Sequence, residues 1–247
     1  MRKCTLTAIG SLHAGNSVEM RILMRINYIY HSGFLIETKD CYYIFDYYKK
    51  KLPVLKRDKP VLVFCSHAHS DHYNPEVFSM LARQEIRHVT GILAKDISPR
   101  SYPEGVEIVR VTFHSHYELP CGTQVDTLQS TDAGVAFLVK CSEGIFYHGG
   151  DLNDWVWPGE SPQYNRQMTG SYRHEIDLLK DLLKRASVDA AFLPLDPRQE
   201  EDYASGILYF LKKINVKKVY PMHYWDKPET IARFLREYPE YHSVIQR

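Results

Sequence analysis

Regular patterning along the chain begins at Arg25. From there, short apolar runs rich in β-branched and aromatic residues recur as NYIYH, FLIET, YYIFDYY, VLVFCS, GILAK, EIVRVTF, TQVDTL, VAFLVKC and GIFYHGG, a composition suited to pleated strands. Turn signals such as His31-Ser32-Gly33, Lys39-Asp40, Pro103-Glu104-Gly105, Cys121-Gly122 and Ser142-Glu143-Gly144 separate them. Helical spacing of apolar residues predicts four helices: Pro75 to Gln84 (Val77, Met80, Leu81), His174 to Ala186 (Ile176, Leu179, Leu183), Tyr203 to Ile214 (Ile207, Leu208, Leu211) and Pro228 to Tyr238 (Ile231, Phe234, Leu235). Two further buried-type strands, VDAAFLPL and KKVYPMH, lie between the last helices.

A long series of strands containing one helix, followed by alternating helices and strands, predicts an α+β fold in which two mixed sheets pack face to face with helices on their outer faces. Residues 1–24 lack periodicity and read as an N-terminal extension, poorly ordered or loosely docked, ahead of one domain spanning 25–247. No internal repeat, low-complexity tract or linker divides that domain.

With 247 residues, 44% hydrophobic and 25% charged, the chain is neither disordered nor a small disulfide scaffold. A formal net charge of +1 supplies no overall field to hold a polyanion, so a small-molecule partner is expected rather than nucleic acid. The five cysteines are scattered without a C-x-x-C pair, which reads as reduced thiols and a cytoplasmic compartment. No run of 18 apolar residues occurs, and no membrane association is expected; a homo-oligomer stays open. Twelve histidines are the unusual count, because imidazole is the commonest metal ligand and the usual acid or base near neutrality.

They cluster in VLVFCSHAHSDHYNP. A buried-type strand ends at Ser66 and is followed at once by His67, His69, Asp71 and His72. His67 and His69, at i and i+2, point the same way on an extended chain, and Asp71 and His72 follow where Asn74-Pro75 begins a helix. Three imidazoles and a carboxylate packed at a strand end match a metal-ligand cluster rather than ordinary loop composition.

This H-x-H-x-D-H after an apolar strand resembles the signature of the metallo-β-lactamase-fold hydrolases. The resemblance implies an αββα sandwich and one or two divalent ions, zinc or manganese foremost. It further implies that His67 and His69 hold a first ion, Asp71 and His72 a second, that Asp151 of GIFYHGGDLND bridges the two, and that His223 of VKKVYPMHYWD completes the second set. The family's usual histidine before the Gly-Asp strand is absent: LQSTDAGVAFLV offers Ser130, Thr131 and Asp132 instead. Asp132 is an oxygen donor able to replace it or to orient a ligand, and equally one end of a simple turn with Gly134. The tyrosine-His-x-Gly-Asp strand and the YIYHSGFLIET opening are similar to the L-ascorbate 6-phosphate lactonase-like branch.

Around this set, His31, Trp155, Trp157, Asp196, Arg198, Tyr224 and Trp225 are expected to shape the pocket. Arg198 is a natural anchor for a carboxylate or phosphate, with a salt bridge to Asp196 or Glu200 as the structural alternative. His174 is read as opening a helix and, with His148, as a candidate for the substrate-facing rim of the pocket, and His114 and His116 form a second H-x-H with a substrate-facing or surface role. The expected activity is hydrolysis of a small lactone, ester or phosphoester by a metal-activated water, with Asp71 accepting its proton. The sequence contains no G-x-S-x-G elbow to compete with that reading. The alternatives are a nucleic-acid-processing phosphodiesterase on the same fold, for which a salt-sensitive gel shift is the discriminator, and a non-catalytic metal- or ligand-binding module.

Overall fold

The computed structural model describes residues 24–246. The extension expected at residues 1–24 lies outside them except for Met24, which is half-buried against the core. One sheet contains β1 (Arg25–Tyr30), β2 (Gly33–Glu37), β3 (Tyr42–Phe45), β4 (Val61–Cys65), β5 (Val89–Ala94) and β6 (Val106–Val111), paired in chain order. The other runs from β7 (His116–Leu119) through β8 (Thr123–Gln129), β9 (Val135–Cys141), β10 (Gly144–His148) and β11 (Ala190–Pro194) to β12 (Val219–Met222). Four helices complete the fold: α1 (Glu76–Arg83), α2 (Pro162–Leu183), α3 (Ser205–Lys213) and α4 (Glu229–Glu237).

Both sheets are mixed. β3, β4, β5 and β6 are mutually parallel, as are β10, β11 and β12, and the remaining pairs are antiparallel. Parallel pairing brings the C-terminal ends of β3, β4, β10, β11 and β12 to one rim of the sandwich, where crevices outside strand ends form. The continuous apolar run of β4, buried at every position, is what a parallel strand covered on both faces requires.

Alternation sorts the second sheet between two cores. Val135, Phe137 and Val139 of β9 and Phe146 of β10 face the first sheet, whereas Ala136, Leu138 and Tyr147 face the helices. Aromatic rings fill the space between the sheets: Phe34 meets Phe192 at 4.4 Å, Phe45 meets Phe64 at 4.7 Å, and Phe64 meets Phe137 edge-on at 5.1 Å. Ile176 and Leu179 of α2, Phe210 of α3 and Phe234 of α4 close the outer core. On the opposite face, Phe78 of α1 lies where a Cβ on Gly91 of β5 would stand, 2.9 Å away.

Two elements differ from the expectation. The second helix begins at Pro162, twelve residues before His174, because Ser161 caps it: its hydroxyl accepts from Tyr164 N at 3.2 Å and Pro162 occupies the first turn. The polar stretch PQYNRQMTGSYR hides this half of the helix from apolar periodicity, so His174 sits in mid-helix and exposed rather than at its start. β7 is an added edge strand of four residues, polar enough to read as loop.

The two sheets meet closely at the rim. Val135 N donates to Ser66 O at 2.9 Å, and Gly134, with φ of 67°, turns the chain into that contact. A Cβ at Gly134 would stand 1.9 Å from Ser66 O and 2.6 Å from His67 Cβ. Gly134→Ala is therefore expected to cost about 2–3 kcal/mol through left-handed strain and overpacking. That corresponds to a drop in melting temperature of roughly 5–10 °C, measurable by thermal circular dichroism. Gly159→Ala, where a Cβ meets nothing within 4 Å, serves as the silent control.

Candidate metal centre

The site grows out of a buried carboxylate at the end of β3. Asp46 Oδ1 accepts from Ser66 N at 2.7 Å, and its Oδ2 accepts from the Ser66 hydroxyl at 2.7 Å and lies 2.8 Å from His72 Nδ1. Burial alone would raise Asp46, yet His148, His72 and His67 outweigh it and bring its pKa down to about 2. An ionised carboxylate only accepts, so His72 donates from Nδ1 and turns Nε2 toward the cleft.

The same device recurs twice. Ser66 Oγ lies 2.9 Å from His67 Nδ1, and Asp196 Oδ2, at the end of β11, lies 3.0 Å from His223 Nδ1. Each partner engages the far nitrogen of its ring, which fixes orientation and leaves Nε2 for another role. Around Asp151 these nitrogens converge: His72 Nε2 is 3.2 Å and His223 Nε2 3.5 Å from Oδ1, and His67 Nε2 is 3.4 Å from Oδ2.

Two groups of donor atoms result, each with all members within 4.8 Å of one another: His67, His69 and Asp151, and His31, Asp71, His72 and His223. His31 thus sits inside the cluster rather than at the pocket rim, with Nε2 3.4 Å from Asp71 Oδ2. The β1–β2 turn delivers it, through left-handed backbone at His31 with φ of 57°; Asp46 and His223 share that conformation at 39° and 62°. Strained backbone at three residues of one site is the pattern of a constellation held in place by its surroundings.

Whether these residues suit a cation can be judged from their unmet needs. The Nε2 atoms of His31, His67 and His72 and Oδ1 of Asp151 are buried without any hydrogen-bond partner. Each such orphan costs about 1–3 kcal/mol, and four of them converging on two small volumes fit divalent ions with mixed nitrogen and oxygen donors.

Asp132 stands beside the first group, not within it. Its carboxylate is half exposed and lies 3.9 Å from His69 Nδ1, while its N–H donates to Ser130 Oγ at 3.2 Å. A cleft of about 250 Å³ opens over both groups, walled by Trp155, Trp157, Trp225 and Arg198. The two neighbouring tryptophans stack at 5.6 Å, and Arg198 lies over Trp225 and Trp157 at 4.5 and 5.5 Å. The Arg198 salt bridge forms with Asp196, Nε meeting both carboxylate oxygens at 3.0 Å, and the guanidinium still faces the cleft.

Three expected pocket residues stand outside this cleft. Tyr224 packs on Tyr28 with rings 5.9 Å apart, because the left-handed turn at His223 hands the cleft to Trp225 instead. His116 is tied to Asp126 at 2.7 Å and Glu118 at 3.2 Å on the edge strand β7, and His174 lies farther along α2. His148 is no rim residue either: it is buried, with Nε2 donating to Ser32 O at 2.9 Å and Nδ1 accepting from Gly150 N at 3.1 Å, which pins the Gly-Gly-Asp turn. Asp46 and Ser66 had no role in the sequence reading; an acid closing the apolar run YYIF was their available signal.

Comparison with known proteins agrees with this fold. The family model described as beta-lactamase superfamily domain matches residues 25–158. A UPF0173 metal-dependent hydrolase of Opitutus terrae is 24% identical over 225 residues, covering 83% of this chain and 87% of that protein. Igni18, a metallo hydrolase from Ignicoccus hospitalis, superposes with a TM-score of 0.62 at 16% identity over 90% of this chain and 94% of its own. CmlA, a diiron β-hydroxylase from Streptomyces venezuelae, superposes with a TM-score of 0.56 at 12% identity over 91% of this chain and 52% of its own. These superpositions show a shared fold, and the last shows that the fold alone does not select a reaction.

Two predictions follow from the electrostatics. Asp46→Asn removes the charge that holds His72, Ser66 and, through Ser66, His67; zinc affinity measured against a competing chelator should fall about 10–100-fold. Burial disfavours the imidazolium of His72, but Asp151, Asp46 and Asp71 overcome it and push its pKa up to about 9. Below that pH a cation must displace the His72 proton. Zinc uptake at pH 7 should therefore release a proton, and affinity should rise with pH until about 9. Calorimetry in buffers of different ionisation enthalpy reads that proton directly, and a pH-independent affinity would exclude His72 as a ligand.

Proposed function

The chain belongs to the beta-lactamase superfamily, and we propose that it is a metal-dependent hydrolase of a small-molecule lactone, ester or phosphoester. The observation that carries this reading is the convergence of buried, unpartnered Nε2 atoms of His31, His67 and His72 with Oδ1 of Asp151 beneath an open cleft. His67, His69 and Asp151 would hold one ion and His31, Asp71, His72 and His223 another, zinc or manganese suiting this donor set. Such ions supply Lewis acidity and lower the pKa of water toward neutrality.

The protein's own residues do the rest. Asp71 lines the cleft, and although burial opposes its ionisation, His31, with Nε2 3.4 Å away, and the charge of His72 hold its pKa below the usual carboxylate range, so it stands ionised where an attacking water would give up a proton. The tryptophan wall excludes bulk water and offers flat apolar surface to a ring or alkyl group. Arg198, fixed by Asp196 and by stacking, turns its positive face toward the developing negative charge of the substrate. A net charge of +1 and the modest cleft favour a small molecule over nucleic acid, and no helix among the described residues is long and apolar enough to cross a membrane.

Screening lactones, esters and phosphodiesters with added Zn²⁺ or Mn²⁺ tests the reaction class. The double variant His67→Ala/His69→Ala should lose at least about a thousandfold in turnover, removing a ligand pair that acts as a unit, with an unchanged far-ultraviolet spectrum. Undiminished turnover in that variant, or none in the metal-loaded wild type across the panel, would overturn the proposal.

A further inference from the structure

The cleft over the metal centre does not end at its tryptophan wall. It shares Thr131, Asp132, Tyr164 and Met168 with a second cavity of about 370 Å³ lined by polar side chains. That cavity in turn shares His174 with a third of about 720 Å³, floored by Leu128 and walled by Leu178 and Leu182. The three cavities thus follow one another along α2 from the metal donors, with His114 and Glu175 meeting between the second and the third.

The helix itself records this path. At 100° per residue, positions 164, 168, 171, 175, 178 and 182 fall within roughly 40° of a single line, and they span roughly 27 Å at 1.5 Å per residue. Tyr164, Met168, Leu178 and Leu182 on that line are exposed or half-buried apolar side chains. Arg166, Arg173, Asp177 and Lys180, on the opposite side of the helix, are charged and exposed. Exposed large apolar groups are few among the described residues, and Tyr164, Trp225 and Leu182 all line this groove.

Apart from Asp132 near the metal cleft, its polar walls carry little free charge. His114 is engaged by both oxygens of Glu175 at 3.0 Å, and His116 is engaged by Asp126 and Glu118. Asp181 and Lys184 at the far end are of opposite sign. An ionic polymer finds no matching stripe there, whereas an aliphatic chain finds leucines.

We propose that this groove binds the tail of the substrate, which is an amphipathic molecule. Its hydrolysable group lies at the metal centre, a polar linker crosses the stretch between Thr131 and Ser171, and an aliphatic chain lies against Leu178 and Leu182. The proposal rests on the hydrolase reading for the identity of the bound molecule, and its test reads binding alone, so the two fail separately.

The full chain is titrated with 11-(dansylamino)undecanoic acid, whose fluorescence rises in apolar surroundings, and the dye is displaced with N-decanoylglycine or N-butanoylglycine, which are too short to span roughly 27 Å and place their polar head between Thr131 and Ser171 with the chain toward the leucines. Buried methylenes strengthen binding by up to roughly fourfold each, so the decanoyl compound should displace the dye at least about tenfold more tightly. Ser171→Trp fills the middle of the groove and Leu182→Glu charges its far end, both at exposed positions. Each should reduce the chain-length advantage to about threefold or less while the melting temperature stays unchanged. His67→Ala/His69→Ala should keep the advantage. Equal affinity for the two acylglycines in the wild type, or an advantage untouched by both groove variants, would overturn the proposal.

Discussion

The site depends on the Asp46 carboxylate, fully buried at the end of β3. A lone carboxylate in that position would be costly to ionise. It remains charged because the Ser66 amide, the Ser66 hydroxyl and His72 Nδ1 surround it, and because His67 and His148 stand near. The dependence runs both ways. Ser66 also orients His67 and, through its carbonyl, receives β9 of the other sheet, so one acid ties together the end of β3, the ligand turn after β4 and the contact between the sheets. Replacing it with an apolar residue would not merely remove a contact; it would leave the backbone amide of Ser66 and the Nδ1 of His72 unpaired in the interior.

Parallel pairing explains why so many donors reach one place. The C-terminal ends of β4, β10, β11 and β12 supply His67, Asp151, Asp196 and His223, and each side chain leaves its strand where the backbone stops pairing. Asp46, Asp71, Asp151 and Asp196 are all held below the ordinary carboxylate range: burial opposes this at each one, and neighbouring histidines overcome it. Carboxylates and imidazoles at this density are a poor arrangement without a cation, because each unpaired Nε2 forfeits its hydration. With one, the same orphans become ligands.

How much of this is legible in the chain depends on how local each feature is. His67, His69, Asp71 and His72 are legible because a strand end and a tight spacing suffice to bring them together, and Asp151 and His223 because each closes its own apolar run. Eleven of the strands announce themselves through β-branched and aromatic runs; β7 does not, since its four residues, with His116 and Glu118 on solvent, alternate too briefly to stand out. The front half of α2 is polar because Tyr172 is its one buried residue and the rest face the cleft or water. His31 is illegible as a member of the cluster, because only the pairing of β1 with β2 and a left-handed turn bring it opposite Asp71. Of Tyr224 and Trp225 only Trp225 reaches the cleft, for the same reason: after the positive φ at His223, one of two adjacent side chains faces inward and the other packs on Tyr28. Asp132 keeps both of its readings, since its carboxylate lies beside His69 without joining the donor group.

Asp196 joins the rim of the cleft to its base. One carboxylate accepts from His223 Nδ1, Trp225 Nε1 and the Arg198 side chain, and from Arg198 N as well. Arg198 and Trp225, the groups facing an incoming molecule, therefore share their anchor with a candidate ligand. A substrate that draws the guanidinium away from Asp196 would lessen the charge compensation of that carboxylate and strengthen its hold on the His223 Nδ1 proton, making Nε2 a more basic donor. Through Asp196, what the rim recognises is felt at His223, so specificity and the electronic character of the centre cannot be varied independently in this protein.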